Sequence, residues 1–234
     1  MTKEVIILAG GLGTRLRSVV ADVPKCMAPI NRKPFIGIII GHLLSQGFQH
    51  FYISAGYKSE VVIDYIQLVF PNISYTFILE ESPLGTGGAI KKCCSSVKEE
   101  SVLVVNGDTF FDVNYEQLYQ FNEHQNFDCI LCLKPMHDFD RYGVVEISDD
   151  FKITSFKEKK YYKEGLINGG VYLLKTNLLK ELSLPEKFSF EKDFLEKYYQ
   201  SLNFYGFVDK GYFIDIGIPE DYNKAQQVLL QYTK

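Results

Sequence analysis

The chain has 234 residues, 46% hydrophobic and 23% charged, with a formal net charge of −4. These values fit a folded protein with a sizeable core, and they exclude a disordered chain or a broad basic surface for nucleic acid. The apolar run at the N-terminus meets glycine too early for a signal peptide, and residues 35–41 are far too few to span a membrane, so the expectation is a cytoplasmic chain with neither a membrane nor a nucleic-acid partner.

Residues 5–8, 51–54, 75–79, 102–105 and 129–133 are short β-branched runs that read as strands. Helix-length segments lie between them at 35–46, 59–70, 86–96 and 115–124. Such alternation predicts βαβ units: an α/β fold with a Rossmann-like, mainly parallel but mixed sheet and helices on both faces. After Asp140 the pattern changes. Strands are expected at 143–148, 152–157, 167–174, 204–208 and 212–214, extending the sheet, with helices at 189–200 and 219–231. No linker or repeat interrupts the chain, so one domain is expected over 1–234, with a first half at about 1–135 and a second wall of a cleft at about 136–234.

The five cysteines suit reduced thiols better than a disulfide framework. Cys129 and Cys132 form a C-x-x-C inside a strand, where odd spacing sends the side chains to opposite faces. Cys93 and Cys94 close a helix. His42, His50, His124 and His137 are scattered, with no metal-ligand spacing.

The first strand runs into Leu8-Ala9-Gly10-Gly11-Leu12-Gly13-Thr14-Arg15, followed further on by Pro24-Lys25. Glycines let backbone N–H groups approach an anion, and Arg15 and Lys25 supply the positive charge a triphosphate needs. The loop lacks the last glycine of a dinucleotide fingerprint and the Gly-Lys-Ser/Thr ending of a P-loop. A second glycine-rich stretch, Leu84-Gly85-Thr86-Gly87-Gly88, opens a helix after the third strand and is suited to a flat base or a ribose. Asn106-Gly107-Asp108 and Asp215-Ile216-Gly217 place a carboxylate at each of two strand ends. Together Asp108 and Asp215 can share one hard divalent ion such as Mg2+, with phosphate oxygens as its other ligands.

These motifs, with Tyr142-Gly143-Val144, Phe156-Lys157-Glu158-Lys159 and Asn168-Gly169-Gly170-Val171-Tyr172, occur in an order that resembles the sugar-1-phosphate nucleotidyltransferases, or nucleotide-sugar pyrophosphorylases, over essentially the whole chain. Residues 12–20, 27–30, 188–191 and 213–222 look most like the D-glycero-α-D-manno-heptose 1-phosphate guanylyltransferases. The resemblance implies the nucleotidyltransferase (GT-A-like) fold and transfer of a guanylyl group from GTP to a sugar 1-phosphate, heptose 1-phosphate above others, by in-line attack at the α-phosphorus. A sugar phosphate is mostly a dianion at neutral pH, with a second pKa of about 6, so no general base is required.

By the same resemblance Arg15 holds the β- and γ-phosphates, Lys25 the α-phosphate, and Asp108 with Asp215 the Mg2+; Arg15, Lys25 and Asp108 are the catalytic set. Leu8, Ala9, Gly10, Gly11, Gly13, Thr14 and Gly85 complete the nucleotide site. Lys159 takes the sugar phosphate, while Gly143, Glu158, Asn168 and Gly170 meet sugar hydroxyls. Cys26 departs from the family, which often has proline there, and puts the stiffness of the turn beside Lys25 in question. No repeat-built acyltransferase domain of the kind some relatives carry is expected, and the product is expected to enter bacterial surface polysaccharide. A homodimer through exposed aromatics is also expected, given 16 tyrosines and 18 phenylalanines.

Three rival readings stand beside this one. The base and sugar can differ, as in a mannose-1-phosphate guanylyltransferase or a uridylyl-, thymidylyl- or cytidylyltransferase. Asp138-Phe139-Asp140, expected in a polar loop, supplies the D-x-D of a glycosyltransferase. An inactive nucleotide-sensing relative would have lost some of the charges named above, and none is missing.

Overall fold

The computed structural model describes residues 3–232 apart from Leu12, Thr14, Arg15, Arg17, Ser18, Ala21 and Asp22. In chain order the first half contains β1 (Glu4–Leu8), a 3-10 turn (Lys25–Met27), β2 (Pro29–Ile30), β3 (Lys33–Pro34), α1 (Phe35–Ser45), β4 (His50–Ala55), α2 (Ser59–Val69), β5 (Ser74–Leu79), α3 (Gly85–Cys94), β6 (Ser101–Asn106), β7 (Thr109–Phe111) and α4 (Tyr115–Glu123). The second half adds β8 (Cys129–Phe139), β9 (Val145–Ile147), β10 (Ile153–Phe156), β11 (Tyr162–Lys175), α5 (Leu178–Glu181), a π-helical turn (Phe190–Leu195), α6 (Glu196–Tyr198), β12 (Phe204–Val208), β13 (Phe213–Asp215), α7 (Pro219–Val228) and a 3-10 turn (Leu229–Tyr232).

Seven strands from both halves form the central sheet, in the order β12-β8-β11-β6-β1-β4-β5. β1, β4, β5 and β6 are parallel, as βαβ connections require. β11 is antiparallel to both β6 and β8, and β12 returns parallel to β8, so the sheet is mixed. Alternate residues face opposite cores. Val5, Ile7, Ile53, Leu103 and Val105 pack on one face, and Ile6, Tyr52, Val104, Leu131 and Tyr172 on the other. Cys132 belongs to the first core and Cys129 to the second, which makes that C-x-x-C a packing feature.

Three expectations are corrected. Segments 143–148, 152–157 and 212–214 do not extend the sheet: β9 pairs antiparallel with β10 in one separate ribbon and β13 with β7 in another, Asp215 opposite Thr109, with Phe213 against Phe111 at 5.8 Å. β7 has only three residues behind a turn, too short to carry a periodic signal. Asp138 and Phe139 lie in β8 and not in a loop, because pairing with β11 runs out to Phe139 opposite Tyr162. The helix expected at 189–200 begins as a π turn, capped by Ser189, whose Oγ accepts from the Lys192 N–H while its own N–H donates to the Asp193 carboxylate.

Large exposed aromatics among the described residues are Phe151 and Tyr161, so most of the aromatic content is core. No helix among those residues is long and apolar enough to cross a membrane.

Candidate active site

The tips of β1, β4, β5 and β6 meet at one edge of the sheet, where open α/β sheets place their ligands. There the Ala9 N–H donates to the Ser54 carbonyl at 2.8 Å and the Gly107 N–H to the Leu8 carbonyl at 3.0 Å, so the loops after β1 and β6 lie side by side. Pro24 leads into the turn carrying Lys25, which is closed by Met27 N–H to Pro24 carbonyl (2.8 Å) and Ala28 N–H to Lys25 carbonyl (3.1 Å). Cys26 is buried beneath it, its thiol 3.7 Å from the Ala9 carbonyl and pushed up to about 12 by burial. Packing and backbone bonds therefore hold the turn without a proline, and the thiol is inert. Gly13, at φ +57, packs on the Lys25 stem, where a β-carbon would stand 2.8 Å from Lys25 Cβ.

The Lys25 ammonium donates to Asp108 Oδ2 at 2.5 Å and to Asp215 Oδ1 at 3.4 Å. Two backbone contacts assemble this group from residues far apart in sequence. The Ile216 N–H donates to the Asp108 carbonyl at 3.1 Å, and the Gly217 N–H donates to Asp215 Oδ1 at 2.7 Å. Burial raises the Asp215 carboxyl above the usual aspartate value, opposed by Lys25 and reinforced by the Asp108 charge. Two carboxylates thus converge on a single cationic point. A pair of hard oxygen donors of this kind suits a divalent metal completed by phosphate oxygens and water. No group of three or more acidic, histidine or cysteine side chains suited to a metal occurs among the described residues.

Two clefts open on either side of these carboxylates. The first, about 410 Å3, is lined by Leu8, Ala9, Gly10, Gly11, Lys25, Gly85 and Asp108; Gly13 is not in its lining and packs on the Lys25 stem instead. Thr14 and Arg15 lie outside the described residues. The second, about 530 Å3, brings together Gly143, Glu158, Lys159, Asn168, Gly170 and Asp215. Asn168 and Gly170 are not at a strand end but at a bulge within β11, between Asn168 and Tyr172. Because β11 runs antiparallel to β6, its middle lies at the carboxyl end of β6. Asn168 Oδ1 accepts from the Gly170 N–H at 3.0 Å, and its Nδ2 donates to the Tyr172 hydroxyl at 2.9 Å, which fixes the amide toward the cleft. Lys157 pairs with Glu146 at 3.3 Å, while Lys159 has no ion pair among the described residues.

Sequence reasoning missed Glu80 in the first cleft. It follows β5 directly, its Oε1 accepting from Ser54 Oγ (2.9 Å) and its Oε2 from the Leu84 N–H (3.2 Å). A β-carbon on Gly10 would collide with its carboxylate. A carboxylate at a parallel strand's end just before a glycine-rich helix start was the available signal. The glycines of that stretch also divide in role. Gly85 (φ +71) lines the cleft, whereas Gly87 and Gly88 make room for Phe188 and the Glu186 backbone.

Residues 4–232 match the model of the family described as nucleotidyl transferase. The chain belongs to that family. It is 49% identical to a D-glycero-alpha-D-manno-heptose 1-phosphate guanylyltransferase of Aneurinibacillus thermoaerophilus, covering 98% of this chain and 99% of that one. An enzyme of the same description from Campylobacter jejuni is 47% identical over 94% of this chain and 96% of its own. The crystal structure of HddC from Yersinia pseudotuberculosis complexed with GMP-PN superposes with a TM-score of 0.86 at 42% identity, covering 96% of this chain and 98% of that one. The inositol-1-phosphate CTP transferase of T. maritima shares the fold at 18% identity, with a TM-score of 0.83, covering all of this chain and 97% of its own.

As a nucleotidyl transferase the chain is an enzyme, and enzymes of this family typically use a divalent metal. The family match replaces the glycosyltransferase reading: Asp138 and Asp140 lie outside the two clefts above, in a third of about 260 Å3 that Asp215 also lines, and Asp138 accepts a hydrogen bond from the Tyr161 hydroxyl at 2.7 Å.

Proposed function

We propose that this chain transfers the guanylyl group of GTP to D-glycero-α-D-manno-heptose 1-phosphate, forming GDP-D-glycero-α-D-manno-heptose and pyrophosphate. The observation that carries the reading is the pair of clefts meeting at Lys25, Asp108 and Asp215, so that a ligand in each would present a phosphate to the other. The sugar phosphate arrives as a dianion and is itself the nucleophile, which leaves the protein to orient two polyanions and stabilise the charge that develops on the leaving pyrophosphate. Lys25 holds the α-phosphate, Arg15 the β- and γ-phosphates and Lys159 the sugar phosphate. Glu158, Asn168 and the backbone at Gly143 and Gly170 take sugar hydroxyls, while Gly10, Gly11 and Gly85 meet the base and ribose through backbone. Mg2+ held by Asp108 and Asp215 would supply charge neutralisation at the phosphates.

Glu80 favours guanine. Guanine presents two adjacent donors, its ring N–H and its amino group, to which one carboxylate is complementary; uracil and thymine present a single N–H between two acceptors, which a carboxylate repels. The named relatives favour both the guanine and the heptose. The cytoplasm is the compartment consistent with GTP as donor. A homodimer is the expected assembly, read directly by sedimentation velocity.

A panel of nucleoside triphosphates against sugar 1-phosphates, read by pyrophosphate release, tests the proposal. GTP with heptose 1-phosphate should lead. Preference for UTP or dTTP would overturn the guanylyl assignment, preference for mannose 1-phosphate the heptose assignment, and release of a nucleoside diphosphate the reaction class.

A further inference from the structure

Asn106 and Glu191 line both clefts, and Glu191 has no role in the roles assigned above. It sits in the first turn of the π segment, whose start is fixed by the reciprocal cap of Ser189 and Asp193. Its carboxylate is half-buried and poorly satisfied. Oε1 accepts from the Tyr172 hydroxyl at 3.5 Å; Oε2 accepts from Ser189 Oγ at 3.4 Å and from Thr86 Oγ1 at 3.5 Å. Hydroxyl-to-carboxylate bonds ordinarily close to about 2.5–2.7 Å, and an ionised carboxylate has roughly four acceptor positions. All of its contacts here stand at the outer limit of a hydrogen bond. Facing both clefts, the carboxylate keeps acceptor positions for a ligand's hydroxyls.

We propose that Glu191 is a specificity-determining residue that reads the sugar, its two oxygens accepting from a pair of neighbouring hydroxyls on the sugar 1-phosphate. This rests on the reaction proposed above. A vicinal diol presents two donors at the spacing of one carboxylate, and the ribose of the nucleotide carries such a diol as well. The surroundings favour the sugar. Ser189 and Tyr172 line the second cleft, as do Lys192 of the same segment and Glu196 at the start of α6, and of the three hydroxyls only that of Thr86 belongs to the first. Tyr172 is itself tied to Asn168, so Glu191 and Asn168 form one connected polar wall across the bulge of β11.

The test is the steady-state kinetics of Glu191→Ala and Glu191→Gln with GTP and heptose 1-phosphate, each varied against saturating partner, together with calorimetric binding of heptose 1-phosphate and of a non-hydrolysable GTP analogue. Glu191→Ala should raise the KM and weaken the binding of the sugar phosphate by roughly 10- to 100-fold, the loss of hydrogen bonds to a charged group, and Glu191→Gln, which keeps one acceptor, by less. Affinity for the GTP analogue should stay within about twofold, showing that the first cleft and the fold survive. An unchanged affinity for heptose 1-phosphate would overturn the proposal, and so would a loss confined to the nucleotide, which would assign Glu191 to the ribose. If the wild type binds heptose 1-phosphate but releases no pyrophosphate, the reaction fails as a reading while the binding data still decide Glu191.

Discussion

The Ile216 N–H donates to the carbonyl of Asp108 at 3.1 Å, and this one backbone bond stitches the end of β13 to the turn after β6. Its consequence is chemical. It holds Asp215 beside Asp108, so that both carboxylates address the Lys25 ammonium although they lie 190 and 83 positions from it along the chain.

Asp215→Asn should separate activity from stability. Burial raises the Asp215 carboxyl in the folded protein, so as pH rises the unfolded chain gives up this proton first and the charged form costs folded stability at every pH above that raised value. The amide removes that cost and can still accept from the Gly217 N–H. Thermal melting at neutral pH should therefore shift upward, with the advantage shrinking in acid. Turnover should fall by about 100-fold or more, the scale for removing a group that stabilises transition-state charge. A melting point below the wild type would contradict this assignment of cost.

Lys25→Met keeps the apolar stem against Gly13 and deletes the charge. Turnover is expected to drop by roughly 100- to 1000-fold, with a smaller change in the KM for GTP, because the ammonium acts where charge accumulates during transfer. Equal, small changes in kcat and KM would place Lys25 in the support of the carboxylates alone.

Glu80→Gln alters the base edge without changing its shape. The kcat/KM for GTP should fall by about 10- to 100-fold, and the ratio of UTP or dTTP to GTP use should rise correspondingly, since one acceptor becomes a donor. A uniform loss across all triphosphates would assign Glu80 to loop structure through Ser54 and Leu84.

His42 should make the fold sensitive to mild acid. Its ring lies against Phe110 and Tyr232 with centroids at 5.0 and 5.7 Å, and burial lowers its pKa below the ordinary 6.5 despite the opposing Asp112 charge. Below that value the unfolded chain takes up the proton before the folded one, so the stability contributed by the neutral ring is present above about pH 6.5 and lost as pH falls. Urea unfolding at pH 7.5 and 5.5 should show a decline in the wild type that is reduced in His42→Phe. Parallel declines in both proteins would remove His42 as the cause.

Much of the nucleotide half was legible from sequence because its signals are local. A buried parallel strand is a continuous apolar run, a helix repeats every 3.6 residues, and a loop that must approach an anion or pack on Lys25 uses glycine, so β1, β4, β5, β6 and the motifs after them could be read from neighbouring residues. The bulge at Asn168, the extension of β8 through Asp138 and the ribbon of β7 with β13 could not, because each depends on a partner strand.

The amino-acid order by itself determined which chemistry was available: paired aspartates, phosphate-sized cationic loops and a catalytic set without a histidine base. Only the tertiary structure decided which of those groups meet. Lys25 and Asp215 are 190 positions apart, and Thr86 and Glu191 are 105 apart. The physical reason is that hydrogen bonds and charges act over a few ångströms in space, a distance that separation along the chain does not encode.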